Sequence, residues 1–146
     1  MKISTKGRYG LRVMVELATR FGQGPILVGT IASAQNISGN YIHILLAALK
    51  AAGLVRAIRG PTGGYQLTCD PGKITTLDVV RALEGHAWPV ACVANEEWCS
   101  KSKTCAARDV WRELAAAMEK VLSAITLEQL VARQRAKSEG AMMFHI

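Results

Sequence analysis

Three features of the sequence predict one mainly α-helical domain that carries a small β-hairpin. Half of the 146 residues are apolar, so the chain can bury a core without disulfides or a structural metal. Apolar residues recur every three to four positions along most of the chain, which is typical of amphipathic helices. One glycine-rich turn between two short alternating runs breaks that pattern and indicates the hairpin. The expected fold class is therefore mainly α with a two-stranded sheet.

Three helices are predicted in the first third of the chain. The first begins after Ser4 or Thr5, and its apolar residues share one helical face: Tyr9, Val13, Leu17 and Phe21. A short second helix covers about 28–35, with Ile31 and Ala34 facing inward. Ser38 closes the turn that follows and is a suitable N-cap for a third helix over about 39–52. The inner face of that helix carries Ile42, Leu45 and Leu49.

The hairpin comes directly after the third helix. Residues 54–58 alternate in polarity and predict a strand, 59–64 form a turn, and 65–68 predict the returning strand. Thr75 or Thr76 then caps a fourth helix that ends near Gly85.

The second half of the chain is predicted to hold one long helix and one short helix. Residues 86–104 show no periodicity. A long amphipathic helix over about 106–124 follows from the apolar positions Val110, Leu114, Met118, Val121 and Ile125. Thr126 caps a last helix through Leu127, Leu130 and Val131, and the sequence after Arg135 specifies little. The chain thus divides into a first domain over 1–85, a loop over 86–105, two helices over 106–135 and a tail over 136–146.

The net charge of +7 is concentrated in the first half of the chain. Residues 1–70 hold eight basic and two acidic residues, a balance of +6, whereas 71–146 hold ten basic and nine acidic residues, a balance of +1. This asymmetry favours a polyanionic partner, most commonly a nucleic acid, although a basic surface also serves solubility. No apolar run approaches the roughly 20 residues that span a bilayer, and the N-terminus lacks the pattern of a signal peptide. A cytoplasmic protein without a membrane association is expected, and no set of residues suggests an enzyme.

The order of elements predicts a winged helix-turn-helix that binds DNA. Its recognition helix would present four side chains at its N-terminal end to the major groove: Ser38, Asn40, Tyr41 and His43. Three arginines and a glycine would hold phosphates or enter a groove, namely Arg8, Arg56, Arg59 and Gly60. Each has a plainer interpretation: Ser38 as a cap only, Tyr41 packed on the hairpin, Arg59 as a solvated charge, and the glycines as turn formers.

Four cysteines are present, and three of them lie in or next to the aperiodic loop. Six residues separate Cys92 from Cys99, and five separate Cys99 from Cys105, which is too wide for the paired ligands of structural zinc sites. Thiolates in such a loop can converge on a metal ion or an iron–sulfur cluster, and a helix N-terminus at Cys105 favours its thiolate. From the residues alone, thiols that bind no metal and are either reactive or inert are as well supported as a metal or cluster site. Cys69, at the end of the hairpin, is expected to be a small buried apolar residue.

The sequence resembles the Rrf family of bacterial winged-helix regulators, which includes IscR, NsrR, RirA and CymR. The resemblance runs over about 1–131, and Arg-Gly-Pro-Thr-Gly-Gly-Tyr at 59–65 is its most specific part. The other stretches that carry it are 1–9 (Met-Lys-Ile-Ser-Thr-Lys-Gly-Arg-Tyr), 37–41 (Ile-Ser-Gly-Asn-Tyr), 53–55, 111–114 and 125–130. It implies a homodimer joined by the long helices, which reads a palindromic operator in double-stranded DNA through major grooves about 34 Å apart.

The resemblance also implies an iron–sulfur cluster, [2Fe–2S] or [4Fe–4S], on Cys92, Cys99 and Cys105. Two departures from the family pattern stand out. The first cysteine interval is one residue longer than the five of IscR and NsrR, and the fourth ligand has no match. The histidine of IscR falls on Arg108, which cannot bind iron, and the carboxylate that NsrR takes from its partner chain falls on Arg8. The remaining candidates are Glu96, Glu97, Asp109, His86, a small exogenous molecule, or no ligand at all.

The leading hypothesis is a transcription regulator whose cluster sets operator affinity in response to iron, redox, nitric oxide or sulfur status. One alternative is a cluster-free regulator of cysteine or sulfur metabolism, similar to CymR, which acts through a partner protein or thiol oxidation. The other, from a different class, is an iron–sulfur carrier or assembly protein.

Overall fold

The computed structural model describes residues 2–85 and 89–145, which fold mainly as helices with one antiparallel hairpin. The elements, in chain order, are α1 Thr5–Thr19, α2 Val28–Gln35, α3 Gly39–Ala51, β1 Val55–Ile58, β2 Gly64–Leu67, α4 Thr76–Glu84, α5 Ala91–Ala94, α6 Ala106–Ala124 and α7 Leu127–Met143. Two short 3₁₀ turns, Pro71–Lys73 and Glu96–Trp98, lie between them. The predicted fold class is confirmed.

Local signals place the ends of the first helices. The Ser4 hydroxyl accepts a hydrogen bond from the Gly7 N–H at 3.1 Å and starts α1. Asn36, with a φ of +54°, adopts the left-handed conformation that ends α2. The Ser38 hydroxyl then accepts from the Tyr41 N–H at 3.3 Å and starts α3. These two serines have the capping roles that the sequence predicts.

The core lies between α1, α3, α4 and the hairpin. Its fully buried side chains include the three residues predicted for the inner face of α3: Ile42, Leu45 and Leu49. The predicted burial of two other residues was wrong. Ala34 is exposed on α2, where Ala32 packs against the core instead, and Phe21 is 46% exposed beyond the end of α1.

The hairpin, called the wing from here on, comprises residues 55–67, and its register pairs Val55 with Leu67. Ile26 adds a bridge to its outer edge through two backbone hydrogen bonds of 2.8 Å with Tyr65. This approach requires glycine at position 64, since a Cβ there would lie 2.4 Å from the Ile26 carbonyl oxygen at a φ of +144°. Gly63 is equally constrained, with an added Cβ 2.2 Å from the Ile58 carbonyl oxygen. These two glycines therefore shape the wing itself.

Helix α6 has the predicted bounds, whereas α7 continues to Met143, well past the end expected near residue 135, so most of the tail predicted over 136–146 is helical. Thr126 caps α7 in a reciprocal hydrogen-bonded box with Gln129. Leu127 and Val131 are buried in the same core as α1. The last helix thus packs directly on the same core as the first three helices and the wing. Among the described helices, none has the length and apolar character needed to cross a membrane.

Candidate DNA interface and cysteine loop

An aromatic contact joins α1 to the start of α3. The Tyr9 and Tyr41 rings meet edge to face, with centroids 6.1 Å apart and planes at 78°. The guanidinium carbons of Arg8 and Arg12 lie 5.9 Å and 5.2 Å from the Tyr9 centroid. Tyr41 therefore packs on α1, and two cations flank the pair.

The other predicted contacts of α3 are available to solvent. Asn40 and His43 are exposed, and Ser38 is exposed as well. Because the Ser38 hydroxyl acts only as an acceptor in its cap, its own proton remains available as a donor. The capping role and a DNA contact are therefore compatible in this residue.

The wing presents its cations in two different ways. Arg56 on β1 faces Gln66 on β2, whose amide oxygen, in the orientation that satisfies both side chains, accepts from the guanidinium at 2.6 Å and 2.8 Å. Arg59 and Gly60 are exposed at the tip. Gly60 has a φ of +112° and no atom within 4 Å of an added Cβ, so its backbone is open to a close approach.

Arg12 is a functional candidate that sequence reasoning missed. Its guanidinium donates to the Gln35 side-chain oxygen at 3.2 Å and to the Gln35 carbonyl, which fastens α1 to the end of α2. The Gln35 amide in turn donates to Glu16 at 2.9 Å. The available signal was its spacing: Arg12 stands four residues after Arg8 and three after Tyr9, on the same side of the helix.

The cysteine loop comprises residues 86–105, and its described part, 89–105, is organised around a buried arginine at the start of α6. Arg108 is 6% exposed, and its Nε donates to the Cys92 carbonyl oxygen at 2.8 Å. Its Nη1 lies 3.2 Å from a carboxylate oxygen of Glu96. The buried Ser102 hydroxyl lies 2.6 Å from the Glu96 carbonyl and 2.5 Å from the Cys99 carbonyl. Side-chain hydrogen bonds to backbone carbonyls therefore hold the described part of the loop.

The thiols do not form a ligand set in this arrangement. Cys99 is exposed and Cys92 and Cys105 are half-buried, and within 2–85 and 89–145 no three cysteine, histidine or acidic side chains converge as they would on a metal. Among the candidate fourth ligands, Glu96 already pairs with Arg108, Glu97 and Asp109 are exposed, and His86 lies outside the described residues. Within the described residues, the three thiols are therefore not gathered as the ligands of one iron–sulfur cluster would be. Cys69 packs against the core but is half-buried, not fully buried as expected.

Comparison with known proteins identifies the family. The family model Rrf2, described as an iron-dependent transcriptional regulator, matches residues 3–133. The chain belongs to the Rrf2 family. Its resemblance to this family, predicted from the wing and from the N-terminal stretch, is confirmed.

Two named relatives and one solved structure represent the Rrf2 proteins that this chain is similar to. It is 43% identical over 146 residues to the transcriptional regulator CymR of Bacillus subtilis, covering 100% of both proteins. It is 34% identical over 134 residues to the regulator IscR of Xenorhabdus nematophila, covering 92% of this chain and 81% of that protein. The solved structure of CymR, described as the global cysteine regulator of B. subtilis, matches with a TM-score of 0.78 and 41% identity over 91% of this chain and 98% of that one. This Rrf2 chain is thus a transcriptional regulator.

Proposed function

We propose that this regulator is a homodimer that binds a palindromic operator through α3 and the wing. The observation that carries the proposal is the Tyr9–Tyr41 contact with its two flanking arginines, since it fixes cations beside the end of the helix that would enter the major groove. The base-facing set is Ser38, Asn40, Tyr41 and His43, and the backbone-facing set is Arg8, Arg56, Arg59 and Gly60.

The dimer is inferred from the exposed side of α6. Val110, Trp111 and Val121 are 58%, 40% and 57% exposed there, and a helix of 19 residues with such a side is expected to be covered in solution. A second copy offers the same surface, and two-fold symmetric dimers, in which both subunits use the same patch, are the commonest soluble homo-oligomers. The two recognition helices then face successive major grooves of a palindrome.

For the signal, we favour a cluster-free regulator of cysteine or sulfur metabolism that acts through a partner protein or through oxidation of its thiols. The buried Arg108 supports it, because a guanidinium supplies charge and hydrogen bonds but no lone pair for iron. The 43% sequence identity to CymR over 146 residues also supports it. An iron–sulfur regulator is the second candidate, favoured by the position of the three cysteines and by the similarity to IscR.

DNA binding is tested by fluorescence anisotropy with a promoter fragment from upstream of the protein's own gene. Specific binding in the presence of excess genomic competitor DNA supports the proposal, with one dimer per fragment. Equal affinity for the promoter and for the competitor, in both reduced and oxidised protein, would overturn it.

The signal is tested by anaerobic purification and cluster reconstitution, with iron and sulfide assays. Colourless protein that keeps its operator affinity supports the cluster-free proposal. Brown protein whose iron and sulfide are lost in Cys92→Ala but retained in Cys69→Ala would reject it in favour of the iron–sulfur candidate. Cys69 is the matched control because it is a half-buried cysteine outside the cysteine loop.

A further inference from the structure

A groove of about 740 Å³ lies between α1, the end of α2 and α7. It is called the basic groove here because four of its lining residues are cationic: Arg8, Arg12, Arg133 and Lys137. We propose that Arg133 and Lys137 bind the sugar–phosphate backbone of the operator duplex, so that the last helix extends the DNA contact. This inference rests on the proposed DNA-binding function and adds a contact surface that the winged helix-turn-helix does not contain.

The length of α7 brings Lys137 into the groove. The helix continues past residue 135, so Lys137 lies one turn after Arg133 on the side that faces α1. Leu130, one turn earlier, packs against the core and fixes the orientation of that side. Four residues of helix rise about 6 Å, close to the roughly 6.8 Å that two nucleotides of one strand span along a duplex.

Among the described residues, the groove offers little negative charge to balance its cations. Glu16 is its one lining carboxylate, and that group already pairs with Arg20 at 2.7 Å and accepts from Gln35. Arg12 bonds only to the neutral Gln35. Over the part of the chain that the structure describes, neither Arg133 nor Lys137 forms an ion pair. An excess of exposed cations of this kind is suited to a polyanion.

Continuity with the proposed DNA interface identifies the polyanion as the same duplex. Arg8 and Arg12 line the groove and also flank the Tyr9 ring. That ring contacts Tyr41 near the beginning of α3. A single cationic surface therefore runs from the recognition helix across α1 to α7, in the manner of phosphate contacts that position a protein on its site.

The test compares the salt dependence of operator binding in two double variants. R133A/K137A removes the proposed contacts and keeps residues that favour a helix. K101A/K103A is the matched control, since it removes the same charge from exposed positions in the cysteine loop. If each side chain neutralises one phosphate, a dimer loses four contacts, and the slope of log K against log salt becomes less negative by about 3.6. Between about 50 and 200 mM salt, the wild type then loses roughly 150-fold more affinity than R133A/K137A.

Each alternative outcome is distinguishable. An unchanged slope in R133A/K137A, or a change equal to that of the control, overturns the inference. A weakened dimer on size-exclusion chromatography with an unchanged slope also overturns it, because the groove would then hold the partner subunit. Absence of promoter-specific binding by the wild type is instead a failure of the proposed function.

Discussion

Replacing Arg108 with alanine is expected to open the cysteine loop while leaving the DNA-binding module folded. A hydrogen bond that involves a charged group contributes about 1.5–3 kcal/mol, and the bond from Arg108 Nε to the Cys92 carbonyl is of that kind. The ion pair with Glu96 adds only about 0–1 kcal/mol, because that carboxylate side chain is 63% exposed. A loss of about 2 kcal/mol raises the population of the open loop roughly 30-fold.

The assay is alkylation of the native protein, with the rate at each cysteine followed by mass spectrometry. Where opening is fast relative to alkylation, the rate at half-buried Cys92 follows the open population and rises roughly 30-fold. Exposed Cys99 reacts at a similar rate in both proteins. Arg112→Ala, at an exposed position one turn further along α6, is the matched control and leaves both rates unchanged. A Cys92 rate within about twofold of wild type would refute the role given to Arg108, as would equal acceleration at Cys69, which indicates global unfolding.

Four further substitutions test the packing and the proposed DNA interface. Gly10→Ala places a Cβ 2.0 Å from Leu83 Cδ1 and is expected to destabilise the fold by about 1–3 kcal/mol. Gly29→Ala, whose Cβ would have no atom within 4 Å, is expected to stabilise α2 by about 0.5–1 kcal/mol. Thermal unfolding measures both changes, and a similar response from the two glycines would contradict the close packing at Gly10. Arg59→Ala is expected to weaken operator binding and to make the salt slope less negative by about 1.8 for a dimer, while an unchanged dissociation constant and slope would mean that the side chain is only solvated. Ser38→Gly is expected to lower the stability of the helix by only a few tenths of a kcal/mol, because glycine is also an acceptable N-cap. Lower operator affinity at an unchanged melting temperature would then show that the Ser38 hydroxyl contacts DNA, whereas unchanged affinity would mean that the residue only caps the helix.

Local signals were sufficient to predict the winged helix-turn-helix and the long helix. Ser38 caps α3 through the backbone three residues away, and the apolar spacing of α6 repeats every turn, so both are encoded within a few residues. The most specific part of the family resemblance, the glycine-rich turn of the wing, is also determined locally, because the backbone at Gly63 and Gly64 leaves no room for a side chain. Predictions of this kind succeed when the determinant and its effect are close in sequence.

Contacts between distant segments could not be predicted in the same way. Gly7 resembles an ordinary helix residue in the sequence, yet an added Cβ would lie 2.3 Å from the Glu84 carboxylate. That carboxylate accepts from the backbone N–H and the hydroxyl of Ser4, 80 positions away. The predicted end of α7 was wrong for a different reason. Its apolar periodicity stops near residue 135, but Ala136, Lys137 and Glu139 favour a helix without an apolar side.

The cysteine loop shows why spacing alone did not determine the chemistry of its thiols. A buried guanidinium is tolerated only where hydrogen bonds and charge compensate it, and Arg108 obtains both from the loop backbone and Glu96. The conformation of the loop therefore depends on this arginine, and the three thiols are distributed around it at unequal depth. Cys99, the exposed one, should be alkylated before the half-buried Cys92. Ordered reactivity of this kind is the behaviour expected of separate thiols, whereas ligands of one cluster would be protected together and exposed together.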